Sequence, residues 1–200
     1  ANNSRPANYL APLELSPEEA VTLLAEAGIP GGEVGSGTCC VRLGTGSSPS
    51  AALRAVPRSI IQDPAAHLVG AYADVPAGTK VADLCAAPGG KALAVAGRAS
   101  FTLAADRSES RIRMVRENME RTGRRLGCVV ADALYPPIEA ADVVLLDVPC
   151  TGTGTLARHP DSRWRLAPAS VKSLARLQKR LLGAAAGLDV SGVDGSDLVF

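Results

Sequence analysis

Aromatic residues are scarce in this 200-residue sequence: one Trp, three Tyr and two Phe make up 3% of it. A hydrophobic core must therefore be built from Val, Leu, Ile and Ala, the side chains that buried parallel strands and their covering helices use. Hydrophobic residues still amount to 46%, which allows a sizeable core and argues against a disordered chain. The composition favours an α/β fold with one main domain and a small appendage.

An excess of charge of either sign is also lacking, since 21 basic residues balance 20 acidic ones to a net charge of +1. Any surface that binds nucleic acid must therefore be local rather than a property of the whole chain. No apolar run is long enough to cross a membrane, and the N-terminus has neither a cationic leader nor an apolar signal stretch. We expect a cytoplasmic protein without a membrane partner.

Cysteine and histidine are too few and too poorly spaced for a metal centre. No Cys-x-x-Cys pair occurs, and the candidate ligands are Cys39, Cys40, Cys85, Cys128, Cys150, His67 and His159. An odd number of cysteines in a chain without a signal stretch indicates reduced thiols rather than a disulfide framework. We expect no metal site.

Residues 1–58 are predicted to form a small α+β appendage. The segment Ser16-Pro17-Glu18-Glu19 is a strong helix start with Ser16 as N-cap, and Gly28 ends the helix. Residues 29–58 are rich in Gly, Ser and Pro around one candidate strand, Thr38–Leu43, and the sequence leaves the rest of their structure open.

From Ile60 onward, strand-like apolar runs alternate with helical patterns, which is typical of a parallel sheet with crossover helices. We therefore predict a Rossmann-like domain over residues 59–200. Its predicted strands are Lys80–Leu84, Phe101–Ala105, Cys128–Ala131 and Asp142–Asp147, its predicted helices are Ser108–Thr122 and Ser170–Ala186, and a further strand begins at Asp197. In such folds ligands bind at the carboxyl ends of the strands.

The most informative segment follows the first of these strands and reads Cys85-Ala86-Ala87-Pro88-Gly89-Gly90-Lys91. Small residues and two glycines let the backbone approach a ligand closely, and the following helix offers unpaired N–H groups. A phosphate-binding P-loop needs Ser or Thr after the lysine, where this sequence has Ala92. The structural alternative is a tight turn without a ligand.

Aspartates end the second and third strands. Asp106 stands where nucleotide-binding α/β folds place a carboxylate that accepts hydrogen bonds from ribose hydroxyls, and Asp132 could accept one from an adenine amino group. Both could instead cap the loops that follow them. One Gly-rich strand end is followed in the chain by two acidic strand ends. This order favours a site that binds a nucleoside.

The fourth strand leads into Asp147-Val148-Pro149-Cys150. A cysteine at the mouth of a cofactor cleft favours covalent chemistry, because a thiolate with a lowered pKa is a strong nucleophile. Thiolate addition at carbon 6 of cytosine makes carbon 5 able to attack a sulfonium methyl group. A buried small hydrophobe is the alternative role for a cysteine, and we assign that role to Cys85 and Cys128.

Together these segments resemble the RNA 5-methylcytosine methyltransferases grouped around the bacterial Sun (Fmu) protein. The matching stretches are Ile61–Ala65, Asp83–Lys91, Ala104–Arg111 and Asp147–Trp164. The resemblance implies S-adenosylmethionine as cofactor, bound by residues 85–91, Asp106, Asp132 and Asp147. It also implies methylation of cytosine in RNA, with ribosomal RNA as the expected class, and RNA contacts through Arg158, His159, Arg163 and Trp164.

The resemblance changes the role of Cys150. In this family the nucleophile is usually a second cysteine, in a Thr-Cys pair after the next strand, while the Pro-Cys cysteine assists release of the methylated RNA. Leu198–Phe200 resembles the strand that leads into that pair, so the nucleophile is expected immediately after Phe200 and these 200 residues alone are expected to methylate poorly. The sequence departs from the family pattern at Ala92, where Thr is usual, and over residues 187–197.

Some interpretations stay open. An arginine-rich helix could contact RNA through Arg107, Arg111, Arg113, Arg116, Arg121, Arg124 and Arg125, but Glu109, Glu117 and Glu120 could pair with them instead. The appendage is a second candidate for RNA binding. The chain could also be a catalytically silent cofactor-binding or RNA-binding paralogue, or a methyltransferase that acts on a substrate other than RNA.

Overall fold

The computed structural model describes residues 6–35, 37–156, 164, 167–188 and 197–199, which form two β-sheets. The N-terminal sheet has four antiparallel strands in the order β2-β3-β1-β4. Its elements are β1 (Tyr9–Pro12), α1 (Pro17–Glu26), β2 (Gly31–Glu33), β3 (Val41–Leu43), α2 (Pro49–Ala55) and β4 (Ser59–Ile61). Leu10, Leu24 and Val41 are fully buried between this sheet and its helices.

The start of α1 is the capping box that the sequence predicts. The Ser16 hydroxyl accepts a hydrogen bond from the Glu19 N–H at 3.2 Å, and the Glu19 carboxylate accepts one from the Ser16 N–H at 2.8 Å. Gly28 follows the helix with φ +69°, a backbone conformation that favours glycine. Local residue chemistry therefore fixes this helix at both ends.

The stretch that the sequence left open, residues 29–58, contains two short strands and a helix. The candidate strand over Thr38–Leu43 is shorter than expected, because only Val41–Leu43 pairs with β1 and β2. Strand β4 pairs with β1 and so belongs to the N-terminal sheet, although we assigned residues from 59 onward to the Rossmann-like domain. Ile60 of β4 packs with Leu93, which lies in the helix that follows the first strand of the second sheet, so the two sheets share a core at this junction.

The second sheet has five parallel strands in the order β7-β6-β5-β8-β9. Its elements are α3 (Pro64–Tyr72), β5 (Lys80–Asp83), α4 (Gly90–Val95), β6 (Phe101–Asp106), α5 (Glu109–Thr122), β7 (Gly127–Val130), β8 (Val143–Leu145), a single 3₁₀ turn (Thr153–Thr155), α6 (Pro168–Ala186) and β9 (Asp197–Val199). The predicted Rossmann-like α/β fold is therefore confirmed. The strand order reverses between β5 and β8, which makes this the topological switch point where such sheets bind ligands.

Alternate residues of the central strands pack on opposite faces of the sheet, as the two-residue period of a strand requires. Ala82 and Val144 lie in the core that Leu181 and Ala185 of α6 cover. Val81 and Val143 lie in a separate core on the other face, with Val95 of α4. In the described part of the chain, no helix is both long and apolar enough to cross a membrane.

Candidate active site

The register of the parallel sheet brings three strand ends to one level. Asp83 of β5 pairs with Ala104 of β6 and with Leu145 of β8. The residues two positions further along these strands are Cys85, Asp106 and Asp147, so they emerge together at the carboxyl edge. Asp132 lies two residues beyond this level, because Asp106 pairs with Val130 of β7.

A cleft of about 250 Å³ opens at this edge. Its lining residues are Leu84, Cys85, Ala87, Asp106, Arg107, Arg111, Asp132, Ala133, Leu134, Asp147, Val148, Pro149, Leu177 and Leu181. The structure therefore brings Asp106, Asp132 and Asp147 together on one cavity, with apolar walls between them. This combination suits a ligand with both a flat apolar part and several hydroxyl or amino groups.

Residues 85–91, which we call the glycine turn, form one wall of the cleft. The individual residues of this turn have different roles. Cys85 and Ala87 line the cavity, Ala86 is buried and Pro88 is exposed. Gly89 is the N-cap of α4 with φ +103°, and a Cβ placed there would lie 3.2 Å from Val115 Cγ1. Gly89 therefore permits both the left-handed backbone and the close approach of α5.

Arg111 ties this turn to the end of β6. Its guanidinium donates a hydrogen bond to the Ala87 carbonyl at 2.6 Å and lies 3.6 Å from the Asp106 carboxylate. Asp106 itself is 3% exposed and accepts a hydrogen bond from the Ser108 N–H at 3.1 Å. Arg111, which the sequence offered as an RNA contact, is therefore part of the cleft wall.

Lys91 bridges α4 and the end of β8. Its ammonium group donates a hydrogen bond to the Asp147 carboxylate at 2.6 Å, and the two side chains are 20% and 59% exposed. The pair also borders a second cavity of about 290 Å³ against α3, lined by Ala65, Val69 and neighbouring residues. The ion pair thus holds the fourth strand end beside the glycine turn, between two cavities.

Asp132 caps the turn after its strand and also lines the cleft. Its carboxylate accepts a hydrogen bond from the Leu134 N–H at 2.9 Å and so caps the turn that follows β7. The same residue lines the cleft together with Ala133 and Leu134. A carboxylate has further acceptor positions, so capping leaves it able to meet a ligand donor.

Asp83 precedes the cleft residues Leu84 and Cys85 in the chain and is 1% exposed. Burial raises the pKa of this carboxyl group to about 7, although the nearby Lys91 ammonium opposes the rise. One of the two Asp83 carboxyl oxygens accepts a long hydrogen bond, 3.3 Å, from the Cys85 N–H. A buried carboxyl group with a pKa of about 7 therefore adjoins the chain segment that lines the cleft.

The cysteines differ in accessibility. Burial, reinforced by Asp83 and Asp106, raises the pKa of Cys85 to about 11, so its thiol stays protonated at neutral pH. Burial also raises the pKa of Cys128. Cys150 is exposed and follows the cleft residue Pro149, and its sulfur accepts a hydrogen bond from the Gly152 N–H at 3.4 Å. Of these three thiols, only Cys150 is placed to meet a large substrate.

The predicted RNA contacts are only partly within the described residues. Trp164 is described and 83% exposed, whereas Arg158, His159 and Arg163 lie outside the described residues. On and after α5, Arg121 donates to the Ser59 carbonyl at 2.5 Å and Arg124 donates to the Leu13 carbonyl at 3.2 Å. These two arginines therefore brace the N-terminal sheet against α5.

Sequence reasoning missed the apolar half of the cleft. Leu134, Val148 and Pro149 each stand beside a strand-end aspartate, so proximity to the motifs was an available signal. Leu177 and Leu181 lie on the stripe of α6 that the helical period identifies as buried, but no sequence pattern indicates that this stripe reaches the cleft. Among the described residues, no three His, Cys, Asp or Glu side chains could hold a metal ion.

We predict that Asp83→Asn changes how the stability of the protein depends on pH. A carboxyl group whose pKa is higher in the folded than in the unfolded protein stabilises the fold at low pH, and this contribution is lost as the pH rises from about 4 to about 7. The asparagine keeps an acceptor for the Cys85 N–H and has no proton to lose. Relative to the wild type, the free energy of unfolding of the variant should rise by up to about 3 kcal/mol between about pH 5 and about pH 8.

Urea unfolding at both pH values measures this difference. Asp74→Asn is the matched control, because the Asp74 side chain is 88% exposed, and it should leave the pH dependence unchanged. An Asp83→Asn variant with the same pH dependence as the wild type would contradict the assignment.

The sequence matches one family model and known proteins that share one name. The family model of the 16S rRNA methyltransferase RsmB/F matches residues 74–195. The ribosomal RNA small subunit methyltransferase B of Vibrio cholerae is 39% identical over 130 residues, which cover 62% of this chain and 30% of that protein. The protein of the same name from Klebsiella pneumoniae is 35% identical over 195 residues, 92% of this chain and 45% of its own length.

A solved structure has a similar fold. The crystal structure of PH0851 superposes with a TM-score of 0.84 at 29% sequence identity, covering 94% of this chain and 45% of that one. The chain thus spans less than half the length of these relatives. Because the family model matches more than half of the sequence, and the resemblance to the Sun (Fmu) group is thereby confirmed, the chain belongs to the 16S rRNA methyltransferase RsmB/F family.

Proposed function

We propose that this chain is the S-adenosylmethionine-binding domain of a cytoplasmic enzyme that forms 5-methylcytosine in RNA, with ribosomal RNA as the substrate class. The observation that carries the proposal is the single cleft on which Asp106, Asp132 and Asp147 meet behind the glycine turn, next to an exposed Pro-Cys. Membership of the RsmB/F family supports the same activity.

The cleft residues fit S-adenosylmethionine. Its volume of about 250 Å³ is close to the lower end of small-molecule pockets, roughly 300–1,000 Å³, and the cleft opens to solvent. Asp106 offers buried acceptor oxygens for ribose hydroxyls, and Asp132 offers one for an adenine amino group. Leu134 and Pro149 provide apolar surface for a flat ring. When bound, the cofactor supplies an electrophilic methyl group.

The remaining residues position the cofactor and the substrate. Arg111 holds the Ala87 carbonyl and the Asp106 carboxylate in one arrangement, so the turn and the second strand end cannot shift independently. Lys91 fixes Asp147 in the same way from the other side. Arg158, His159, Arg163 and Trp164 are proposed to contact RNA, as is the appendage of residues 1–58.

We assign Cys150 to the release of methylated RNA. Its thiol is exposed, and α6 anchors its loop because the Gln178 amide donates a hydrogen bond to the Pro149 carbonyl at 2.9 Å. As a thiolate at the mouth of the cleft, Cys150 would accept the carbon 5 proton of the methylated cytosine. The bond between carbon 6 and the nucleophilic sulfur then breaks, which frees the product from the covalent adduct. The nucleophilic cysteine expected immediately after Phe200 stays a prediction.

We predict that Asp106→Asn weakens binding of S-adenosylmethionine at least tenfold. Hydrogen bonds to a charged group contribute about 1.5–3 kcal/mol, and a tenfold change in affinity corresponds to about 1.4 kcal/mol. Calorimetric titration of the wild type, Asp106→Asn and the exposed control Asp74→Asn measures the effect. Equal affinity in all three proteins would remove Asp106 as the ribose ligand.

We predict that Cys150→Ala in the complete protein slows turnover and causes a covalent protein–RNA adduct to accumulate, because release is impaired while the adduct still forms. Denaturing gels with radiolabelled RNA, together with a methylation assay on cytosine, measure both effects. Cys39→Ala, which removes an exposed thiol of the N-terminal sheet region, is the control. A complete protein that methylates no RNA, or only another substrate, would overturn the proposed function in favour of a silent paralogue or a different methyltransferase.

A further inference from the structure

Charge is segregated along the chain although its net charge is only +1. Residues 6–41 contain no Lys or Arg, and their acidic residues are Glu14, Glu18, Glu19, Glu26 and Glu33. Residues 164–188 contain no Asp or Glu, and their basic residues are Arg165, Lys172, Arg176, Lys179 and Arg180. A local cationic region therefore exists, and most of it lies on α6.

The four basic residues of α6 share one face of the helix. They follow each other at spacings of four, three and one residue, which places them within an arc of about 100° at 3.6 residues per turn. Leu181 and Ala185, which are buried in the core, lie on the opposite side. We call the exposed residues Lys172, Arg176, Lys179 and Arg180 the α6 cationic face.

Unlike several arginines of α5, these cations have no acceptor among the residues that the structure describes. On α5, Arg111 and Arg121 donate to backbone carbonyls and Arg113 lies 4.0 Å from the Glu109 carboxylate. Within the described residues, no carboxylate lies within 4 Å of the α6 cationic face, and α6 contains no acidic residue with which it could pair. Four like charges on one face repel one another, and no described residue offsets this repulsion, so an anionic partner would relieve it.

The α6 cationic face begins beside the cleft. Helix α6 follows the Pro149–Cys150 loop and leads back to β9, which is parallel to β8, so its first turns lie at the carboxyl edge of the sheet. Its 19 residues span about 28 Å, longer than any strand of the sheet. Leu177, between Arg176 and the two later cations, lines the cleft. A strand of RNA that delivers a cytosine to the cleft would therefore pass along this helix.

We infer that the α6 cationic face binds the phosphate backbone of the RNA substrate. The inference rests on the proposed function, since it concerns the RNA whose cytosine enters the cleft. Phosphates spaced along a single strand match a row of flexible cations, and each contact releases condensed counterions. Such contacts carry no sequence information, so the face sets affinity and direction while the cleft selects the base.

The test compares two doubly substituted proteins of equal charge. Lys172→Gln with Arg176→Gln removes two of the four cations of the α6 cationic face, and glutamine preserves the helix. Lys80→Gln with Arg98→Gln removes one exposed Lys and one exposed Arg at the opposite, amino edge of the sheet. The dissociation constant of a short, fluorescently labelled RNA hairpin is measured in the complete protein over a series of salt concentrations, beside the dissociation constant of S-adenosylmethionine.

The Lys172→Gln, Arg176→Gln protein should bind RNA more weakly than the wild type. The magnitude of its slope of log affinity against log salt should be smaller by roughly 1.5, at about 0.7–0.9 for each lost phosphate contact. The control pair should leave the slope unchanged, and both proteins should bind S-adenosylmethionine like the wild type. Equal slopes for the two pairs would overturn the α6 inference and leave the proposed function standing. A wild type that binds no RNA would overturn the proposed function itself. If polyglutamate competes for the α6 cationic face as well as unlabelled RNA does, the face binds acidic peptides, and the α6 inference is overturned.

Discussion

Strand β5 hydrogen-bonds in parallel with β6 on one side and with β8 on the other, and the cleft depends on the register of these two pairings. A slip of β8 by one residue would turn Asp147 to the other face of the sheet. The same slip would remove Val144 from the core that α6 covers. The packing that stabilises the sheet therefore also fixes the strand ends that form the cleft, so core and site cannot vary separately.

Cations occupy two distinct environments in this molecule. Arg111, Arg121 and Arg124 donate to backbone carbonyls and act as braces between the glycine turn, the N-terminal sheet and α5. The basic residues of α6 make no such contacts within the described residues and are exposed to solvent. A count of arginines in the sequence cannot separate these uses, because the difference lies in which acceptors the fold places within reach.

Features set by local chemistry could be predicted from the sequence. The Ser16 capping box, the end of α5 at Gly123 and the first residues of β5 and β6 all follow from residue types and periodicity. Features set by contacts between distant residues could not be predicted from the sequence. Strand β4 pairs with β1 across more than forty residues, and Arg111 donates to a carbonyl 24 positions away. The strand-end aspartates were predictable as a group because a parallel sheet gathers its carboxyl ends whatever the connecting segments contain.

The proposed function requires that one cleft at the switch point holds a sulfonium nucleoside. A crystal structure of the chain soaked with S-adenosylhomocysteine would show where such a ligand binds. We expect ligand density between the glycine turn and Leu134, with the ribose against Asp106. Density in the cavity beside α3, or a ligand that leaves Asp106 without a contact, would contradict it.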